Sequence, residues 1–468
     1  MKKILTIILS LGALTIFLSS CEDELDQRPI TERESNNFYS NEEELESAVL
    51  AVYAKLQNRG LYGLDLIGAG EISSDNTFDE VPANDGGRFG QLDEFTAIPG
   101  NDLVGDIWKE SFIGIQRANT VLNRIGDINF EDDNVKQHRI GEMKFIRALL
   151  YFNLVRLYGD VPLVLEETVN PNDFFGQGRT PIAEVYTQIQ TDLSEAITGL
   201  PAINGAARPG KGAARSLLGK VYLTLGQYSE AATQLQSVFD SGNYGLVANV
   251  ADIFGEENEN NSEVVFAVQF AAGLNGNSEG TPAHSQFSPS GTVSNAKGHN
   301  LPTVDFYNLY DDNDLRKSVF VGVTDNGVPF TKKWTVNPSN ADDGGSDYMV
   351  IRYADVVLML AEALNETGNT VDAADLLNSI RNRAGLANTA ANTQVALRDA
   401  IALERRFELI GEGHRWFDLL RMGKAITTMN TWFANNGKNI TIDENDLLLP
   451  IPQSQIDTDP AIKQNPGY

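Results

Sequence analysis

The chain predicts a mainly α-helical fold built from antiparallel helical pairs, with a loop-rich lobe carrying short strands. Three observations lead there. Apolar residues recur at three- and four-residue spacing through residues 40–56, 104–158, 180–244 and 351–429. Two segments, 213–244 and 360–380, repeat one pattern of small and large positions. The intervening stretches, 60–100 and 245–348, are punctuated by Gly, Pro and Asn, which break long helices.

The amino terminus reads as a secretory signal. Lys2 and Lys3 precede an apolar run from Ile4 to Leu18, then Ser19-Ser20-Cys21. A bilayer span needs about 20 apolar residues, so the run is short for one. Small residues directly before a cysteine resemble a bacterial lipobox. That resemblance implies cleavage after residue 20 and acylation of Cys21, giving a lipid-anchored protein. Cys21 is the only cysteine, so the folded part has no disulfide, thiolate zinc site or cysteine nucleophile. Residues 21–39, opening on Glu22-Asp23-Glu24-Leu25-Asp26, read as an acidic flexible tether. The acidic run resembles surface-export signals of some lipoproteins.

Ser40-Asn41-Glu42-Glu43 predicts a capping box, with Leu45, Val49, Val52, Tyr53 and Leu56 along one stripe of the helix that follows. Glycines and prolines from Gly60 to Gly100 predict a polar loop. Trp108, Phe112, Ile115, Ala118 and Leu122 share a face of a helix over 104–125, and a longer helix covers 133–158. Gly159-Asp160-Val161-Pro162 ends it. Thr180-Pro181 opens the next, with a hydroxyl at the N-cap and proline at the first helical position. Leu218, Gly219, Tyr222, Gly226, Tyr228, Ala231, Leu235 and Val238 then match a tetratricopeptide helix–turn–helix of about 34 residues. Leu360, Ala361, Leu364, Gly368, Ala373, Leu377 and Ile380 match it again. A weaker copy starts at Ala148 and Tyr151. In the long insertion, Val264–Phe270 predicts a buried strand, and 320–323 with 334–336 predict a hairpin. A last helix pair is expected over 394–410 and 414–429. The proline-braced tail should pack back onto the body.

The formal charge of −28 removes the basic footprint that nucleic-acid binding requires. Metalloprotease, nucleophile-elbow, P-loop and dinucleotide motifs are all missing. His138, His284, His299 and His414 lack ligand spacing. Asp311-Asp312-Asn313-Asp314 and Asp342-Asp343 suggest solvated turns rather than a calcium loop, although a structural calcium stays open. A glycosidase dyad needs two carboxylates about 5 to 9.5 Å apart across a cleft, which spacing along a chain does not reveal.

The ordered blocks along the chain resemble the SusD/RagB family of outer-membrane nutrient-binding lipoproteins. They are the lipobox, residues 44–48, Trp108-Lys109, residues 115–119, 148–152 and Leu157-Tyr158-Gly159-Asp160-Val161-Pro162-Leu163. Asn313-Asp314-Leu315-Arg316, residues 352–356, 361–363, 381–385, 404–408 and 415–421 follow, then Pro450-Ile451-Pro452 and Asn465-Pro466-Gly467-Tyr468. The resemblance implies one SusD-like domain over residues 40–468, an α/α superhelix of tetratricopeptide-like pairs (133–244 and 351–429). It implies a non-catalytic, cofactor-free glycan binder at the cell surface, lipid-anchored to the outer membrane. Its partners would be a poly- or oligosaccharide and a SusC-like TonB-dependent transporter that imports it.

Family sites imply a patch where residues 60–100 meet 271–348. The candidates are Asp75, Asn76, Arg88, Phe89 and Phe95 from the first loop, and Phe287, His299, Trp334 and Tyr348 from the insertion. Trp334 leads them, since Trp108 and Trp416 sit in helix motifs. Each phenylalanine also fits a small core beneath a loop. Arg352, Arg381, Arg405 and Arg415 read as buried partners of Asp355, Glu362, Glu404 and Glu408. Aromatic faces suit sugar C–H surfaces, and carboxylate, amide and guanidinium groups suit hydroxyls. The acidity leans the ligand toward a neutral glycan such as a β-glucan or fructan. Two other readings are a tetratricopeptide scaffold binding only proteins, and a surface glycoside hydrolase.

Overall fold

The computed structural model describes residues 39–170, 172–273, 279–334 and 341–468. The signal run, Cys21 and all of the acidic tether except Tyr39 lie outside them. The architecture is mainly helical, as expected. Helix α1 (Glu42–Leu56) starts one residue later than the capping-box spacing suggests. Asn41 is its N-cap and accepts from the Glu44 amide, while Glu44 reaches back to the Ser40 amide. Helix α2 (Asp102–Arg124) is capped by Asn101, and α3 (Asp133–Tyr158) by Asp132. From Gly141 onward α3 is apolar on almost every side and buried on almost every side, the pattern of a central helix.

Helix α4 (Ile182–Gly199) packs on α3. Its cap differs from expectation. Pro181 takes the extended N-cap position, Thr180 pairs with Val161, and the Asp160 carboxylate accepts from the Ile182 amide. Helices α5 (Lys211–Thr224) and α6 (Tyr228–Phe239) form the first strong pair. A Cβ at Gly219 would meet the Leu235 side chain at 2.6 Å, so the small residue sets how closely they approach. Helices α7 (Tyr353–Glu366) and α8 (Thr370–Arg383) form the second pair, and α7 also packs on α6. Helix α9 (Gln394–Glu408) follows. Its expected partner is split into α10 (Arg415–Arg421) and α11 (Ala425–Asn435), broken at Gly423.

The lobe is tied down by three two-stranded ladders. Strand β1 (Thr77–Phe78) in the first loop pairs with β3 (Leu301–Pro302) in the insertion. Strand β2 (Val264–Val268) pairs antiparallel with β6 (Tyr348–Arg352), which runs directly into α7. Strand β6 was hidden because Tyr348-Met349-Val350-Ile351-Arg352 shows no alternation: both faces are buried. Of the expected hairpin, 320–323 forms β4 (Val321–Val323), but its partner is β5 (Pro329–Thr331) rather than 334–336. Trp334 lies just beyond β5, and residues 335 and 336 lie outside the described residues. The tail folds back: the Leu449 amide donates to Leu157 O, and the Asn465 side chain donates to Tyr158 O.

Candidate functional site

The first loop and the insertion meet around a run of stacked rings. Tyr62 stacks on Tyr348 at 5.2 Å between centroids, and Tyr348 lies nearly parallel to Trp334 at 5.8 Å. Trp334 meets Phe287 edge-on at 6.2 Å, Phe287 meets Phe89 at 6.2 Å, and Phe89 packs on His299 at 4.6 Å. Three of these five contacts join the first loop to the insertion. Residues far apart in sequence, singled out as one patch, are thus brought together.

Their exposure is not what an open platform requires. Trp334 is 7% exposed, and Phe89 and His299 are fully buried. Phe287 and Tyr348 are buried as well. The rings stack on one another, because a loop region this long must bury its own apolar surface to hold a shape. The core reading of the phenylalanines is the one realised.

The remaining candidates leave the patch altogether. Asp75 pairs with Arg415 (2.9 Å) and Arg406 (2.8 Å). Burial opposes its charge, but the two guanidiniums hold its carboxyl below the usual range. Asn76 bridges the buried Glu71 and Arg406. Arg88 forms a fork with Asp65 and reaches Asp106 at 2.7 Å. Phe95 packs edge-on against Trp416 (5.6 Å) and Phe433 (5.9 Å) on the far side of the loop. Buried pairing explains all three polar candidates. Of the arginines read as structural, Arg352 pairs with Glu408, Arg381 with Glu404 and Arg405 with Asp355. Arg415 takes Asp75 instead, and Glu362 belongs to Arg421.

Adjoining the rings at His299 lies a polar rim that spacing alone did not single out. His299 Nδ1 contacts Asp79 at 3.0 Å and its Nε2 lies 3.4 Å from Asp85. Lys297 Nζ donates to Asp85 Oδ1 at 3.0 Å, and Asn84 donates to Lys297 O. The Asn295 amide donates to Asp342 at 3.1 Å. Asp85, Asn295 and Asp342 are exposed, while Asn84 and Lys297 are half-buried. Asp85 (φ 49°) and Asn295 (φ 57°) sit in the left-handed region, which short polar side chains tolerate. Asn84-Asp85-Gly86-Gly87 and Asn295-Ala296-Lys297-Gly298 are the turn-forming stretches that could have flagged it. The rim offers carboxylates, amides and one ammonium, and its segments contain no aromatic residue. In the same insertion, His284 Nε2, Trp334 Nε1, Gln286 Oε1 and the Asn300 amide are buried without a hydrogen-bond partner among the described residues. Such groups call for bound water or ligand. No group of three or more His, Cys, Asp or Glu among the described residues is arranged to hold a metal. None of their helices is long and apolar enough to cross a membrane.

Comparison with known proteins places this architecture. The family model described as SusD family matches residues 319–468, and a second, described as Starch-binding associating with outer membrane, matches residues 27–223. The chain belongs to the SusD family. SusD-like protein P25 of Formosa agariphila is 26% identical over 518 residues, spanning 96% of this chain and 97% of that protein. Among solved structures, a laminarin binding SusD-like protein is 29% identical with a TM-score of 0.79, covering 92% of this chain and 100% of the other. Surface glycan-binding protein A of Bacteroides thetaiotaomicron, in complex with laminarihexaose, shares the fold at 21% identity. Its TM-score is 0.78, over 91% of this chain and 100% of that one.

Proposed function

We propose that this SusD-family protein is a glycan-binding lipoprotein, anchored to the outer membrane through Cys21 and exposed at the cell surface. It captures a poly- or oligosaccharide without cleaving it and delivers it to a SusC-like TonB-dependent transporter. The polar rim of Asp85, Asn295, Lys297 and Asp342, adjoining a rigid stack of rings, carries this reading. Sugar hydroxyls both donate and accept, and the rim supplies acceptors and donors within one small area. A site on loops braced by a helical scaffold is an ordinary arrangement for binding. The stacked rings (Trp334 foremost, with Phe89, Phe287, His299 and Tyr348) adjoin the rim at His299.

The ligand proposed is a neutral glycan of the β-glucan class. The acidity of the chain disfavours a polyanion, and the 29%-identical relative is described as laminarin binding. Calorimetric titration with laminarin, and with a panel of other neutral and acidic polysaccharides, tests it. Heat on binding laminarin, weakened about two- to tenfold by Asp85→Ala or Lys297→Ala, is expected, the loss of about one hydrogen bond each. Binding unchanged in both variants moves the site away from the rim. Silence across the panel removes the glycan reading, and release of reducing sugar would replace capture with hydrolysis.

A further inference from the structure

Many of the buried and half-buried charges among the described residues sit in ion-paired sets. Lys220–Asp355–Arg405–Asp418–Arg421–Glu362 is a continuous chain of three cations and three carboxylates, linked by contacts of 2.7–3.0 Å at its first four steps. Arg156, a half-buried residue on α3 beside it, stands outside that chain. No carboxylate among the described residues lies within ion-pair distance of it. Its Nε donates to Phe152 O (3.1 Å) and one terminal nitrogen to Asn153 Oδ1 (2.7 Å). Its guanidinium is held between the rings of Phe152 (4.0 Å) and Phe417 (3.7 Å). The remaining terminal nitrogen, Nη1, makes no hydrogen bond with the described residues.

Arg156 lines a cavity of about 40 Å³ together with Asn153, Tyr62, Lys220 and His414. A water's share of liquid volume is about 30 Å³, so the space suits one small ion or one to two waters. Donors dominate its polar lining. The Tyr62 hydroxyl accepts from Asn153, leaving its own proton without an acceptor among the described residues. Asn153 Oδ1 is already taken by Arg156. Burial, and then the field of Lys220, push His414 down to about 3, so its ring is neutral, with one N–H to donate and one bare nitrogen to accept. Desolvation likewise pushes Arg156 down to about 10, against the weaker opposing fields of Tyr186, Tyr62, Tyr348 and Asp418. Lys220 is already paired with Asp355, so the unbalanced charge at the cavity is that of the half-buried Arg156, and a cation with an unused donor favours an anion over water.

We propose that this cavity is a binding site for a small monovalent anion of the halide class, held by Arg156, Lys220 and the Tyr62 hydroxyl. The ion is structural. It completes the charge balance where the helical scaffold (Arg156, Lys220) meets the ring stack of the lobe (Tyr62, Tyr348). Two measurements on the purified protein decide it. In the first, thermal unfolding is followed as chloride replaces gluconate at constant ionic strength. The midpoint rises with the logarithm of chloride concentration for the wild type and is flat for Arg156→Gln. A flat wild-type response, or an equal rise in the variant, overturns the proposal. In the second, crystals grown in bromide give an anomalous peak within hydrogen-bond distance of the Arg156 guanidinium. An empty or water-filled cavity there overturns it, whether or not the variant folds.

Discussion

Trp334 shows how much one residue's meaning depends on its surroundings. Its ring lies between Phe287 and Tyr348, with Tyr62 beyond, and only 7% of it is exposed. Trp334→Ala should therefore lower stability by about 3–5 kcal/mol, read by urea unfolding, because it opens a cavity in a close-packed stack. A near-neutral variant would return the ring to a surface role. The rim residues should behave oppositely. Asp85→Ala and Lys297→Ala remove exposed or half-exposed groups, so their unfolding midpoints should stay within about 0.5 kcal/mol of the wild type while glycan affinity falls. At this scale the sequence supplied residue types without orientation. Phe89, Phe287, His299, Trp334 and Tyr348 were legible as a group because the family resemblance implied a patch where the two loop regions meet. Whether each ring's partner is a sugar or another ring is decided by packing that spacing does not encode.

Helices were read closely because their periods and caps are local. Strands β1, β3 and β6 were not, since two-residue pairings and doubly buried runs carry no alternation. The seams between elements offer sharper tests. Gly70 lies where the first loop crosses the turn before α10, and a Cβ there would sit 2.2 Å from Gly413 O. Gly70→Ala should cost about 1–3 kcal/mol in chemical unfolding through overpacking, with helical circular dichroism retained. Arg352, at the end of β6, contacts Glu263 (2.8 Å), Glu408 (2.8 Å) and Glu412 (2.8 Å). Arg352→Met leaves these buried carboxylates short of a cation. A loss of about 3–5 kcal/mol is expected, and a smaller one would mean that Arg316, Arg383 and Lys333 suffice.

For the whole molecule the buried charges set the dependence of stability on pH. Burial opposes ionisation of Glu408, but Arg383, Arg352 and Arg316 outweigh it and hold its carboxyl far below the usual range. Arg405 and Arg421 do the same for Asp418. Their contribution is complete above the ordinary carboxylate pKa of about 4 and disappears only as pH falls through their lower folded values. Asp93 and Asp347 behave in reverse, since burial pushes each up to about 7. Between about pH 4 and 7 the folded chain keeps protons there that the unfolded chain has released, so their effect on stability declines as pH rises. Urea midpoints should fall from pH 5 to pH 7, and Asp93→Asn with Asp347→Asn should flatten that slope. An unchanged slope in the double variant would place the titration elsewhere.

The sequence by itself determined the helices, the paired repeats, the acidic character and the family. These rest on local periodicity, composition and the order of motifs, all of which survive without coordinates. Tertiary structure alone decided which side of each loop faces water. It turned the aromatic candidates inward, gave Asp75 to Arg415 and Arg406, gave Arg88 to Asp65, and raised Asp85, Asn295 and Lys297 to the rim. The physical reason is that loop orientation is set by long-range pairings such as Thr77 with Pro302 and His299 with Asp79, whose partners lie more than two hundred residues apart.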